Sequence, residues 1–141
     1  MKKSTGDLLK SLKSSRDYAE FLKKEIGELQ FVTLSEYLDL LIESKKLKKS
    51  DIIVRSNLDK NYAYQIFNGT KTNPSRNKVL MLAFGMGLDS NETTILLKIA
   101  KQPDLYVRDP RDSVIIFCLE KHMSLIDANE QLMDYGLAIL E

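Results

Sequence analysis

Residues that start helices recur at short intervals along almost the whole chain. A Ser, Thr or Asp three residues before a Glu or Asp is typical of a helix N-cap. This pattern precedes apolar residues spaced by three or four positions in the segments 33–42 and 89–100. Such spacing places apolar side chains along one face of a helix. No pair of segments shows the alternation expected of paired strands, so the sequence predicts an all-α fold.

The apolar run from Val114 to Leu119 is the one segment that could instead form a strand, since Val, Ile and Phe favour strands. It follows Asp109 and Pro110, and a proline is well tolerated in the first turn of a helix. No second strand is available to pair with it. A buried helix, apolar on all sides, is therefore the favoured interpretation.

Length and composition limit the class of protein. The 141 residues predict one domain with appended arms, and 43% of them are apolar, which is enough to build a core. The single cysteine, Cys118, cannot form a disulfide within the chain, as is usual in a reducing compartment. Charges interrupt the N-terminal segment, and no apolar run approaches the roughly 20 residues that span a bilayer. A cytoplasmic protein without membrane contact is expected.

Positive charge is concentrated between Lys45 and Lys78. This segment contains nine basic and two acidic residues, a net charge of +7, so the rest of a chain with total charge +1 sums to −6. A basic block in an otherwise acidic protein is typical of a surface that binds phosphates. A solvated lysine-rich surface would have the same composition, and charge alone does not separate the two interpretations.

The stretch from Lys49 to Gly69 predicts two short helices joined by a tight turn. Apolar residues would fill the angle between the two helices: Leu58, Ala63, Ile66 and Phe67. The other side of the second helix is polar and carries the amides of Asn61, Gln65 and Asn68. Amides of this kind pair bidentately with adenine in the major groove. Lys48 and Lys49 begin the first helix, where backbone N–H groups also favour an anion.

Apolar, capping and turn residues of this region follow a known pattern. They are Leu47, Ile52, Leu58, Asp59, Ile66, Asn68-Gly69, Asn73-Pro74, Leu82-Ala83 and Gly87-Leu88. With them, the segment from Ser35 to Ala100 resembles the lambda-repressor-like, XRE-type helix-turn-helix domain, which has five helices and binds DNA through the second and third. Ile53, Ser56 and Asn57 depart from that pattern, which usually has a small, an apolar and a glycine residue there.

The resemblance implies a set of DNA contacts. Base contacts would come from Lys60, Asn61, Tyr64 and Gln65. Phosphate contacts would come from Lys48, Lys49, Asn68, Lys71 and Arg76. The expected organisation is an N-terminal helical arm (1–32), a helix-turn-helix domain (33–101) and a C-terminal helical hairpin (102–141).

Two functions follow from this interpretation. The first is a sequence-specific transcriptional regulator that binds double-stranded DNA as a homodimer. Its subunits would meet through the C-terminal helices, Pro110 to Gly136, or through an N-terminal apolar stripe formed by Tyr18, Leu22, Ile26 and Leu29. The second is a protein-interaction module or adaptor without DNA binding. It is suggested by the aromatic residues Tyr62, Tyr64 and Phe67 in the helix that would contact bases. The whole chain is similar to a bacterial group of XRE-type proteins, some encoded near protein kinases.

Catalysis is not expected from this sequence. Cys118 and His122 are four residues apart and are the one pair that could form a nucleophile and base, but Cys118 lies within the apolar run. No further Cys or His lies at ligand spacing. The sequence predicts no enzyme activity, no metal site and no cofactor.

Overall fold

This computed structural model describes residues 4–16 and 33–141. These residues form eight α-helices, joined by turns and loops, and no strand. The helices are α1 (Thr5–Ser14), α2 (Leu34–Lys45), α3 (Lys49–Ser56), α4 (Lys60–Phe67), α5 (Arg76–Gly85), α6 (Ser90–Ile99), α7 (Pro110–Glu120) and α8 (Leu125–Asp134). The predicted all-α class is confirmed. The run from Val114 to Leu119 lies within α7 and is helical.

Side-chain caps begin seven of these eight helices. The N-cap side chain accepts a hydrogen bond from the backbone N–H three residues later, as in Thr33 with Glu36 at 3.2 Å and Asp59 with Tyr62 at 3.1 Å. At α6 the box is complete, because Asp89 and Glu92 each accept from the other's N–H. Helix α3 is the exception: Lys48 is its N-cap and makes no side-chain capping bond.

Helix α5 lies at the centre of the core. Every residue from Val79 to Gly85 is buried, as expected for a helix that is apolar on all sides. Helices α3 and α6 pack against α5, and α2 packs against α4 and α6. Helix α2 contributes large buried side chains to this core: Tyr37, Leu38 and Leu41.

The contact between α3 and α5 is unusually close at Gly85. A Cβ atom on Gly85 would lie 2.8 Å from the carbonyl oxygen of Ile52 and 2.8 Å from Cβ of Ser56. Ser56 is fully buried, and its hydroxyl donates to the Ile52 carbonyl at 2.6 Å. The absence of a side chain on Gly85 therefore allows the two helix backbones to meet.

The C-terminal helices are bonded to this core. Helix α7 packs on α6 and α8, and α8 packs on α5. Arg76 at the start of α5 donates to both carboxylate oxygens of Asp112, at 3.0 and 2.9 Å. Arg111 donates to the Ala138 and Ile139 carbonyls and to Asn77. The chain after Asp104 is thus held against the first turn of α5.

Helix α7 departs from the expectation that it would be buried on all sides. Ile115, Cys118 and Leu119 are buried, but the side chain of Phe117 is 55% exposed. One side of α7 therefore faces solvent while the other packs on the core.

The N-terminal part of the chain is described only in part. Helix α1 buries none of its residues. The predicted apolar stripe of Tyr18, Leu22, Ile26 and Leu29 lies outside the described residues. Across the described ranges, no helix is long and apolar enough to cross a membrane.

Candidate nucleic-acid interface

Helix α4 has one buried side and one exposed polar side. Ala63, Ile66 and Phe67 are buried against the core. The exposed side consists of Lys60, Asn61, Tyr64, Gln65 and Asn68. Their sequence numbers increase by one, three, one and three, and this spacing places the five side chains along one face of the helix. All four residues expected to contact bases are therefore displayed together.

Most of the aromatic surface of α4 is covered by the rest of the protein. Phe67 is buried, Tyr62 is partly covered, and Tyr64 is 38% exposed. The ring of Tyr64 meets that of Phe67 edge to face, with centroids 6.3 Å apart. Only Tyr64 thus belongs to the exposed face, so α4 does not present the broad aromatic surface that would favour a protein partner.

Two lysines are held beside α4 by its aromatic rings. The Nζ of Lys49 lies 5.6 Å from the centroid of Phe67, and the Nζ of Lys71 lies 4.9 Å from that of Tyr62. The backbone N–H of Lys71 also donates to the carbonyl of Gln65 at 2.9 Å. Cation–π contacts of this kind orient long side chains that would otherwise sample many rotamers. They place positive charge on either side of the exposed amides.

The N-terminus of α3 adds unpaired backbone donors to this surface. The first N–H groups of a helix have no partner within it, and here no side chain caps them. Lys48 and Lys49 are both exposed at this end. A cleft of about 210 Å³ opens beside them, lined by Lys46, Leu47, Lys48, Asp51, Ile52 and Arg55. Three cations around one carboxylate leave this cleft positive.

Asn68 ends α4 and has part of its amide engaged. Its Oδ1 accepts a hydrogen bond from the backbone N–H of Thr70 at 2.8 Å. The amide nitrogen is left as the donor for an external acceptor, which is the atom that a phosphate contact requires.

The basic segment keeps most of its charge available. Lys45 pairs with Glu92 at 2.8 Å and Arg76 pairs with Asp112. Among the described residues, no carboxylate lies within ion-pair distance of Lys48, Lys49 or any other lysine expected to contact DNA.

Arg76 lies apart from the other candidates. Besides binding Asp112, its guanidinium donates to the carbonyls of Pro103 at 2.9 Å and Asp104 at 3.0 Å. Each of its three nitrogens therefore has a partner within the protein. Arg76 positions the C-terminal segment, and we exclude it from the proposed phosphate contacts.

Asp112 holds a charge at a largely buried position. Burial acts to raise the pKa of its carboxyl, but hydrogen bonds from Arg76 and from the N–H of Tyr106 outweigh that effect and keep the pKa below its usual value. The carboxylate therefore remains ionised opposite Arg76.

Lys46 and Arg55 are not predicted from the sequence as phosphate contacts, although both belong to the basic segment Lys45–Lys78 and line the cleft beside α3. A signal was present for Arg55, because it lies seven residues after Lys48, about two helical turns along the same side.

Cys118 and His122 do not form a site together. Cys118 is buried, and burial followed by the charge of Asp127 raises the pKa of its thiol. His122 follows the end of α7, is exposed, and has a left-handed backbone with φ of 53°. The two residues therefore do not share a helix face. Within the described part of the chain, no group of three metal-binding side chains occurs.

Comparisons with protein-family models, with curated proteins and with solved structures find no match to this chain. The most distinctive arrangement among the described residues is the exposed face of α4 with the positive charge on either side of it.

Proposed function

We propose that this chain is a regulator that binds double-stranded DNA in a sequence-specific manner, with α4 entering the major groove. The observation that carries the proposal is the exposed face of α4, where Lys60, Asn61, Tyr64 and Gln65 lie together between lysines that have no carboxylate partner among residues 4–16 and 33–141. A merely solvated helix has no need of amides aligned in this way.

The amides of Asn61 and Gln65 would supply base recognition. Each can donate and accept at once, which matches the N6 and N7 edge of adenine, and a good bidentate pair contributes about 1–3 kcal/mol of discrimination. Lys60 at the start of α4 would reach guanine or a phosphate, and Tyr64 would contact a neighbouring base or sugar.

Phosphate binding would come from groups around α4. Lys48, Lys49 and Lys71 lie at its two sides, and Asn68 lies at its C-terminal end. Lys46 and Arg55 extend the positive surface along α3. The uncapped N-terminus of α3 would receive one phosphate oxygen, since unpaired N–H groups and the helix dipole favour an anion.

Helices α2 to α6 would have the lambda-repressor-like arrangement that the sequence resembles. Helices α3 and α4, each of eight residues, are joined by Asn57, Leu58 and Asp59, and Leu58 is buried in that connection. Asn57 has φ of 53°, so it adopts the left-handed conformation for which the XRE-type pattern usually uses glycine.

One such module reaches one half-site, so the working unit would be a homodimer on a two-fold operator. The two copies of α4 would enter the same side of the duplex about 34 Å apart, which is one helical turn of DNA.

Selection from randomised duplexes, followed by affinity measurements on the enriched sequence, tests the proposal. Asn61→Ala and Gln65→Ala should each relax preference at one base pair per half-site and weaken specific binding by about 1–3 kcal/mol. Binding to random duplex should stay nearly unchanged, because these residues would not contact phosphates. Equal losses on both duplexes would mean that the amides only support the fold.

A protein-interaction module without DNA binding is the second candidate, and such an adaptor would fit an association with a kinase. The observation that favours it is Val54, which is 79% exposed on α3. Absence of duplex binding at low salt would favour this function, since phosphate contacts are strongest there.

A further inference from the structure

Helix α8 exposes an apolar stripe that nothing in the described chain covers. Ile126 is 72% exposed and Met133 is 64% exposed. They are seven residues apart, nearly two helical turns, so both lie on the same side of α8. Large apolar side chains that share one exposed face mark an interaction surface.

Acidic residues flank this stripe. Asp127, Glu130 and Asp134 are exposed, and α8 contains no basic residue. The helical period places Glu130 and Asp134 along one edge of the line from Ile126 to Met133. A partner that fits here would carry an apolar line with positive charge beside it.

Helix α1 has this complementary pattern. Leu8, Leu9 and Leu12 form its apolar side, and the helical period places Lys13 beside Leu9. Leu9 and Leu12 are exposed, and α1 buries none of its ten residues. A helix this short is marginal in water unless its apolar side is covered. Helix α1 would therefore be stabilised by packing its leucines on an apolar surface, and α8 exposes such a surface.

We propose that α1 of one copy docks on α8 of a second copy. In the described residues of a single chain, the apolar side chains of both helices remain exposed to solvent. The segment between α1 and α2 is long enough for α1 to reach across a small domain. Leu9 and Leu12 would pack against Ile126 and Met133, with Lys13 beside the acidic edge of α8.

Each copy carries both helices, so a two-fold dimer makes the contact twice. Two such contacts bury twice the surface of one, which brings the interface closer to the roughly 1,200–2,000 Å² that a stable protein–protein interface buries. The inference rests on the dimer part of the proposed function, and it assigns the C-terminal helices as the receiving surface and the N-terminal arm as the inserted element.

Sedimentation equilibrium of the full chain without DNA tests this directly and keeps the result separate from DNA binding. The protein should be a dimer at micromolar concentration. Ile126→Glu on α8 and Leu9→Glu on α1 should each raise the dimer Kd by about tenfold or more, because each places a charge in the apolar contact. The control is Val107→Glu. Val107 is 67% exposed, close to the 72% of Ile126, and lies outside both helices, so this change should leave the dimer intact.

Complementation identifies the occupant of α8. The Leu9→Glu and Ile126→Glu variants, each weakened as a homodimer, should form a tighter heterodimer when mixed, because one intact α1 then meets one intact α8. Charge reversal should act in the same way: Lys13→Glu weakens the dimer, and adding Glu130→Lys restores it. A monomeric wild-type chain overturns the proposal. So does a dimer that responds to Ile126→Glu but not to Leu9→Glu, because a different segment would then cover α8.

Discussion

Replacing Gly85 by alanine tests the closest helix contact in the protein. The added methyl would lie 2.8 Å from the Ile52 carbonyl oxygen, 2.8 Å from Cβ of Ser56 and 3.0 Å from the Ser56 backbone nitrogen. Two of these three atoms are backbone, so no rotamer change relieves the clash. Helix α3 must move away from α5 by about half an ångström to reach ordinary packing distances.

The expected loss of stability follows from two opposing effects. Overpacking of this kind costs about 1–3 kcal/mol, whereas alanine in place of glycine within a helix gains up to about 1 kcal/mol. A net loss of about 1–2 kcal/mol is expected, which lowers Tm by several degrees in a domain of this size. Because α3 carries Lys49 and part of the cleft, duplex affinity should fall as well.

Urea unfolding and thermal unfolding of Gly85→Ala provide the measurement. Gly6→Ala is the matched control, because a Cβ on Gly6 meets only the Ser4 hydroxyl oxygen at 3.9 Å and α1 lies outside the core. The control should be at least as stable as the wild type, because alanine favours the helix and meets no clash at this position. A Gly85→Ala protein as stable as the wild type would refute the close α3–α5 contact on which this reasoning depends.

Three further substitutions test the charged groups. Asp112→Asn should lower the free energy of unfolding at neutral pH by on the order of 2–3 kcal/mol, because the Arg76 guanidinium loses its ionic partner. Since the folded pKa of Asp112 is depressed, its contribution is present above the ordinary aspartate pKa and is lost as pH falls through the folded value. Urea titrations from neutral to acidic pH should therefore show a weaker acid dependence in Asp112→Asn, and an unchanged one would contradict the assigned role. Lys49→Ala should weaken binding to all duplexes and reduce the slope of log affinity against log salt by about 0.9, whereas Arg76→Gln should destabilise the fold and leave that slope unchanged. Equal slopes for wild type and Lys49→Ala would remove Lys49 from the phosphate contacts.

Local chemistry in the sequence determined the helices of this protein. The N-caps at Thr33, Asp59 and Asp89 act within three residues of each helix start, so their effect is readable without tertiary information. The same holds for the two sides of α4, because helical periodicity alone separates Ala63 and Ile66 from Asn61 and Gln65. The class of fold and the composition of the candidate interface were therefore predictable.

The tertiary structure alone decided which of those residues are available. Arg76 is indistinguishable in sequence from a phosphate-binding arginine, and only the fold brings Asp112, 36 positions later, against its guanidinium. Gly85 and Ser56 meet because two helices cross there, and no local pattern encodes a crossing point. Lys49 and Lys71 owe their positions to aromatic rings on α4. Contacts between residues far apart in the chain depend on how all the helices pack at once, so a periodic pattern that identifies a helix face cannot identify what that face will touch.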